Sequence, residues 1–249
     1  MVPWIVLQLA DSAFPIGGFA HSGGLEALAA ARQLGALDAL FRELIDQQAH
    51  GALPLVGAAW DEPARLAGLD AHSRALLWSH VAARASRAQG RALLDVAARA
   101  CGPAAVDADA AHAGAADAAA ADDGREPGGA SSPGRAVLAA ARELCVRGDI
   151  DGHLAPAFGF VCRVLGVSRD DALAGFLHVA LRGALSAAVR LGILGPTEAQ
   201  ALHLALHPAL AAAQARGARL TVDEVAQTAP LVELWQATHD QLYSRLFQS

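Results

Sequence analysis

The chain has 249 residues, 54% of them hydrophobic, and a formal net charge of −6. This length allows one large domain with a substantial core, or two small ones. The negative charge argues against electrostatic capture of nucleic acid. All 19 basic residues are Arg, and the absence of Lys excludes both a Walker A phosphate loop and Schiff-base chemistry.

Membrane and export signals are missing from the sequence. No run of about 18 uncharged apolar residues occurs, so we expect no membrane span. The N-terminus lacks the basic region of a signal peptide, which makes the cytoplasm the expected location. Cys101, Cys145 and Cys162 are odd in number and widely spaced, and this favours reduced thiols over disulfides or a zinc knuckle.

The first informative segment, residues 11–26, reads DSAFPIGGFAHSGGLE. Its four glycines allow positive φ or close backbone approach, and Pro15 fixes its own φ. Phe14, Ile16, Phe19 and Leu25 are expected to anchor the segment to a core. The composition predicts a tight, shaped turn that leads into a helix at about Ser22.

Helical periodicity dominates the rest of the chain, and the pattern predicts an all-α fold. The spacing predicts helices along 25–32 and 37–45, with Pro54 closing that region, and one long helix over 70–100. Cap signals predict three further helix starts, at Ser168, Thr197 and Thr221, the first running to about Leu191. Apolar residues spaced from Leu231 to Leu246 predict an amphipathic helix that ends almost at the last residue.

Residues 102–134 depart from this pattern. They are mostly Ala, Gly, Asp, Ser and Pro, with six acidic residues and almost no large apolar side chain. Such a stretch cannot bury enough surface to offset its ordering entropy, so we interpret it as a disordered surface insertion. Both flanks are helical and neither has a separate core. We therefore expect a single compact multi-helix domain over 1–249.

Two constellations suggest chemistry. His21 and Ser22 raise the alternative of a small serine hydrolase, but no strand precedes Ser22 to form a nucleophile elbow. His203 and His207 have the spacing of two metal ligands on one helix face, which leaves open a protein that stores a metal ion. The intervening segment lacks the glutamate of a metalloprotease motif, and surface or half-buried histidines are the more common interpretation. We therefore predict no catalytic and no metal site.

Two further features suggest contacts between proteins. Arg84, Arg87 and Arg91 share one helix face, which is either solvated or grips an acidic partner. Tyr243, Arg245 and Phe247 crowd the last seven residues. Tyr and Arg are enriched among interface hot spots, so this end is expected to dock, either on its own core or on another chain.

Four ordered blocks carry a resemblance to a known family. DSAFPIGGFAHSGGLE closely resembles the N-terminal signature of the UreF family of urease accessory proteins. Residues 153–167, 186–203 and 228–249 are similar to the central, junction and C-terminal blocks of that family. They read HLAPAFGFVCRVLGV, SAAVRLGILGPTEAQALH and TAPLVELWQATHDQLYSRLFQS.

The resemblance implies an all-helical assembly factor that is not an enzyme and binds no cofactor of its own. Such a factor would couple a nickel-carrying GTPase, UreG, to the UreD/UreH accessory protein and apo-urease for GTP-dependent nickel insertion. The family also implies a homodimer within this complex. No nucleic acid and no membrane would take part.

Site residues are carried over by position. The first block implies a GTPase-facing surface, with Glu26 as the main polar contact. Arg190 occupies the basic position of the junction block. The last block implies docking to the urease-binding partner. The matching residues are Asp11, Ser12, Pro15, Gly17, Gly18, His21, Ser22, Gly24, Leu25 and Glu26 in the first block, Arg190 in the third, and Tyr243, Ser244, Arg245, Leu246 and Phe247 in the last.

Overall fold

The described part of the chain is helical. A computed structural model describes residues 4–100 and 133–249, and no strand occurs within these ranges. The α-helices are α1 (Trp4–Ala10), α2 (Leu25–Ala30), α3 (Leu37–Gly51), α4 (Leu53–Asp61), α5 (Leu66–Leu76), α6 (His80–Ala100), α7 (Pro133–Arg147), α8 (Leu154–Val164), α9 (Arg169–Arg190), α10 (Pro196–Ala205), α11 (His207–Gly217) and α12 (Pro230–Ala237). Short 3₁₀ turns occupy Gly18–Ala20, Pro63–Arg65, Val222–Glu224 and His239–Gln241. The all-α prediction is confirmed.

The short helix α8 lies at the centre of the packing. Residues 156–162 are all buried, and α8 packs against α4, α5 and α6. A Cβ atom at Gly159 would overlap the carbonyl oxygen of Val56 on α4, and one at Gly90 on α6 would overlap the carbonyl oxygen of Gly152. Glycine at these two positions therefore lets the backbones touch.

The longest helix, α9, begins and ends as its cap signals predict. The Ser168 hydroxyl accepts a hydrogen bond from the Asp171 amide at 3.1 Å, and Gly192 follows the helix with φ 69°. By length and composition alone α9 could cross a membrane, but half of its most apolar window is buried inside the protein. It packs against α1, α3, α4, α8 and α11, as the core helix of a bundle does.

Two predicted helix boundaries, near residues 54 and 197, are wrong, and a third boundary, near residue 77, was not predicted. Pro54 lies in the first turn of α4 and does not close the region, because Pro is tolerated where no intrahelical N–H bond is needed. The helix predicted over 70–100 breaks after Leu76, where the buried Ser79 accepts the Ala82 amide and caps α6. The start of α10 is capped at Gly195, whose amide donates to Glu198, and not at Thr197.

The predicted C-terminal helix also stops early. Helix α12 ends at Ala237, and the last residues run as an extended segment, which we call the tail (residues 242–249). The side chain of Glu26 accepts the amides of Leu246 and Phe247, so these amides are not available for helical bonds. At Thr221 the predicted helix is only one 3₁₀ turn, Val222–Glu224.

Buried apolar side chains from both described ranges form one continuous cluster. This continuity supports a single domain, which stays a prediction. The predicted insertion at 102–134 lies outside the described residues except for Pro133 and Gly134, which begin α7.

Candidate functional site

The glycine-rich segment forms a turn anchored to the core. Gly17, Gly23 and Gly24 have φ of 74°, 61° and 93°, a region that disfavours side chains with a Cβ. Gly24 also packs closely on α12, since a Cβ atom there would lie 3.3 Å from the Val232 carbonyl oxygen. Phe14, Ile16 and Leu25 are buried, as the sequence predicts for anchors, whereas the prediction for Phe19 is wrong, because its side chain is 70% exposed.

The tail lies directly alongside this segment. The Gln248 amide donates to the Ala20 carbonyl at 2.8 Å, and the Ser22 amide donates to the Ser249 carbonyl at 2.6 Å. The His21 ring nitrogen Nδ1 lies 2.6 Å from the Ser249 hydroxyl. The first and last sequence blocks therefore form one structural unit.

The side chain of Glu26 binds the tail through backbone amides. Its side chain is only 7% exposed, and its Oε1 accepts the Leu246 amide at 2.5 Å. Its Oε2 accepts the Phe247 amide at 3.1 Å and lies 2.8 Å from Nε2 of the buried His239. The expected role of Glu26 as an exposed polar contact does not fit this burial, because all these partners belong to its own chain.

Arg190 joins the junction block to the same unit. It lies at the end of α9, and its guanidinium donates to the Phe19 carbonyl oxygen and stacks 4.3 Å above the Phe247 ring. Stacking of this kind uses the planar, always-charged guanidinium, which Lys lacks. We call the whole arrangement of Ala20–Ser22, Glu26, Arg190 and the tail the tail clamp.

A second polar contact fixes the chain just before the tail. Asp240 accepts two hydrogen bonds from Arg84, at 2.9 and 2.8 Å. His80 and Arg245 also contact its carboxylate, at 3.1 and 3.0 Å. The hydrogen bonds from Arg84 are the main cause that lowers the pKa of Asp240 to about 2. Within the described residues, Arg84 thus binds an acidic group of its own chain.

The sequence did not indicate Asp240 as a site residue. Its partner Arg84 is 156 positions away, and nothing in either local pattern connects them. The cluster of Arg residues on α6 was the only available signal, and it left a solvated face as an alternative.

The outer surface of the tail clamp carries apolar side chains. Tyr243 is fully exposed, Phe19 is 70% exposed, and Leu246 is 52% exposed. Ser244 and Arg245 are exposed beside them, whereas Phe247 is buried. Large aromatic side chains in solvent next to an Arg have the composition of an interface centre.

The remaining site residues of the first block lie outside these contacts. Asp11 and Ser12 are exposed, and Asp11 accepts the Ala13 amide at 2.8 Å in a local turn. Pro15 is exposed, and nothing lies within 4 Å of the Cβ position of Gly17. Gly18 begins the 3₁₀ turn that presents Phe19.

A cavity of about 270 Å³ adjoins the clamp. Its lining includes His21, the amides of Gln48 and Gln89, and Glu233 of α12. One Glu233 oxygen accepts the Ser79 amide at 3.3 Å, and the other has no hydrogen-bond partner. Burial raises the pKa of this carboxyl. The rest of the lining is mostly apolar, so these few polar groups stand within an apolar wall.

The hydrolase alternative requires a contact that is missing here. The buried Ser22 hydroxyl has no hydrogen-bond partner, so His21 does not activate it as a general base would. Burial is also the main cause that lowers the pKa of His21. The described residues at this point therefore support the tail and do not form a nucleophile–base pair.

Metal-ligating side chains are also not grouped. Among residues 4–100 and 133–249, no three His, Cys, Asp or Glu side chains are placed to hold one metal ion. Burial raises the pKa of the Cys145 thiol to about 11, and it raises that of Cys162 further. Both thiols are therefore protonated at neutral pH, which disfavours metal ligation.

Comparisons with known proteins converge on one family. A family model described as UreF matches residues 31–207. "Urease accessory protein F" of Arabidopsis thaliana is 31% identical over 251 residues, covering 99% of this chain and 92% of that protein. "Urease accessory protein F" of Oryza sativa subsp. japonica is 30% identical over 250 residues, covering 98% and 84%. "Urease accessory protein UreF" of Paenarthrobacter aurescens is 28% identical over 245 residues, covering 97% and 96%.

Proposed function

The chain belongs to the UreF family of urease accessory proteins, as its four sequence blocks predict, and on that premise we propose that it is a non-enzymatic scaffold for nickel insertion. It would couple the nickel-carrying GTPase UreG to UreD/UreH and apo-urease, as part of a homodimer in the cytoplasm. The nucleotide would belong to the partner, because a chain without Lys cannot form a Walker A site.

The observation that carries this proposal is the tail clamp. It unites the first and last family blocks in one surface, with Phe19 from one and Tyr243 from the other both exposed. Polar bonds to Glu26, Asp240 and Arg190 hold the backbone underneath. A preorganised backbone with free aromatic side chains loses little entropy on binding.

Glu26 takes a different role in this proposal from the one its sequence position suggested. Its carboxylate is buried against Leu246, Phe247 and His239, so it would act on partners by holding the tail in shape. Phe19 and Tyr243 replace it as the side chains that would touch UreG and UreD/UreH respectively.

Two single substitutions test this assignment by affinity co-purification. We expect Tyr243→Ala to weaken binding to UreD/UreH tenfold or more, as truncating an interface hot spot costs about 2 kcal/mol. We expect Phe19→Ala to weaken coupling to UreG by a similar factor. Both side chains are exposed, so the melting temperature should stay near that of the parent protein.

Val146→Ala is the matched control. Val146 is 65% exposed on α7, outside the tail clamp, and its truncation should change neither interaction. Full binding of both partners by Tyr243→Ala and Phe19→Ala would show that the clamp surface is not the docking site.

A further inference from the structure

Three histidine rings meet where α9, α10 and α11 come together. The rings of His178 on α9 and His203 on α10 have centroids 5.4 Å apart, with planes at 34°. The ring of His207, the first residue of α11, lies 5.5 Å from that of His203 at 85°. We call this the histidine cluster. It joins one long core helix to the two helices that follow it.

No negative charge balances the cluster. None of the ion pairs among the described residues includes His178, His203 or His207. The Nε2 atom of His203 is buried without a hydrogen-bond partner. Charging an imidazole costs more free energy when one of its nitrogens is buried without a partner, so the neutral form is favoured.

A charged neighbour of His178 is also positive. Arg182 lies one turn after His178 on α9 and donates to the Ala10 carbonyl at the end of α1, at 2.5 Å. Burial is the main cause that lowers the pKa of His178, and His203, Arg182 and His207 lower it further. Burial, and then His207, lower the pKa of His203. The folded cluster therefore disfavours taking up a proton.

Helix α10 depends on this junction more than its neighbours do. Its contacts are mainly with α9 and, less extensively, with α11. Helix α11 is held independently by α3, through the Arg216–Asp46 ion pair and the packing of Gly217 against the Ala49 carbonyl oxygen. The ten residues of α10 are thus the part that can separate while the rest of the bundle stays packed.

We propose that the histidine cluster is an acid-sensitive latch, which holds α10 against α9 while its imidazoles are neutral and releases α10 when they are protonated. The direction follows from proton linkage. Since His178 and His203 bind protons less readily in the closed cluster than free imidazoles do, closure is fully favoured above pH about 6.5 and weakens as the pH falls below that value. This inference concerns the stability of α10 and does not depend on the proposed scaffold function.

Hydrogen exchange of the full chain tests the latch. Protection of the amides in 199–206 would be compared at about pH 8 and about pH 5.5, after correction for the intrinsic pH dependence of exchange. We expect protection in α10 to fall several-fold in acid, because the lowered pKa values of His178 and His203 link opening to proton uptake. Protection in α7, which contains no histidine, should change much less.

Two variants separate the latch from general acid sensitivity. His203→Gln keeps a polar side chain of similar size that does not titrate, so its α10 protection should depend less on pH than that of the parent protein, with His178 left to titrate. His72→Gln on α5 is the matched control and should respond to acid as the parent protein does. An equal acid response in His203→Gln and the parent protein would overturn the latch.

A measurement on the unaltered chain covers the case in which His203→Gln fails to fold. The ring protons of His178 and His203 can be followed by NMR during a pH titration. Titration of either ring below the usual value, together with loss of α10 protection over the same pH range, would support the latch. Titration of both rings at or above pH about 6.5 would rule it out.

Discussion

The helical layer around α8 and the tail clamp hold chain segments together by opposite means. In the layer, Gly159 and Gly90 bring backbones into direct contact, and the surrounding side chains are apolar. In the clamp, one buried carboxylate, Glu26, accepts two tail amides and contacts one imidazole. The first arrangement spreads its stabilisation over many dispersion contacts, whereas the second concentrates it in a few polar groups.

This difference predicts different responses to mutation. Close-packed backbones cannot move apart locally, so damage in the α8 layer should destabilise the whole bundle. The tail touches the bundle along one edge, so damage in the clamp should free the tail while most helices persist. A region held by a few polar groups, as the tail clamp is, can contact partners without destabilising the core.

The largest effect is expected in the layer. Gly159→Ala places a methyl group against the carbonyl oxygen of Val56, which α4 cannot withdraw without moving as a unit. We expect the free energy of unfolding to fall by about 3 kcal/mol or more, at the upper end of the overpacking range. Urea denaturation followed by circular dichroism measures this loss.

Gly68→Ala on α5 is the control for the same chemical change. Nothing lies within 4 Å of its Cβ position, and Ala favours a helix over Gly by up to about 1 kcal/mol. It should be neutral or stabilising. Equal effects of the two substitutions would mean that the contact between α4 and α8 is looser than we describe.

The second-largest effect on stability is expected at Glu26 in the tail clamp. Glu26→Ala leaves the amides of Leu246 and Phe247 and the His239 ring without their acceptor, which should cost about 2–4 kcal/mol. Hydrogen exchange should show that protection is lost mainly in the tail. Glu43→Ala, at an exposed position of α3, should have almost no effect. Loss of protection throughout α8 in Glu26→Ala would place Glu26 with the core instead.

The smallest effect is expected at Asp240. Its carboxylate is about one-third exposed, so solvent screening limits the cost of Asp240→Asn to about 1 kcal/mol. Because the folded carboxyl has a pKa of about 2, below its usual 3.8, its contribution is full above pH about 4. It is lost as the pH falls toward 2. A melting temperature that is lowered equally by this substitution at pH 2 and pH 7 would contradict the ion pair with Arg84.

Local patterns predicted much of the fold. The periodicity identified the all-α class, and Ser168 and Gly192 marked both ends of α9. The failures occur where a distant residue competes with a local signal. Glu233 accepts the Ser79 amide at the break inside a continuous periodic pattern, and Glu26 binds amides that the terminal pattern assigned to a helix.

The candidate site was only partly predictable for the same reason. The blocks that contain His21, Arg190 and Phe247 stand out in the sequence, and the structure places them in contact. The burial of Glu26 under the tail and the pairing of Arg84 with Asp240 could not be predicted from the sequence. Each depends on contacts between residues more than 150 positions apart. The histidine cluster was likewise visible only as the pair His203 and His207, without His178.

By itself, the sequence determined the helical class, the family and the glycine-rich turn at residues 11–26. These follow from periodicity, from ordered blocks of residues and from the backbone freedom of glycine, all of which are properties of neighbouring positions. Tertiary structure alone decided that the tail binds against this turn, with Glu26 buried and Phe19 exposed. Burial and hydrogen-bond pairing depend on which distant segments meet, and only the folded chain brings them together.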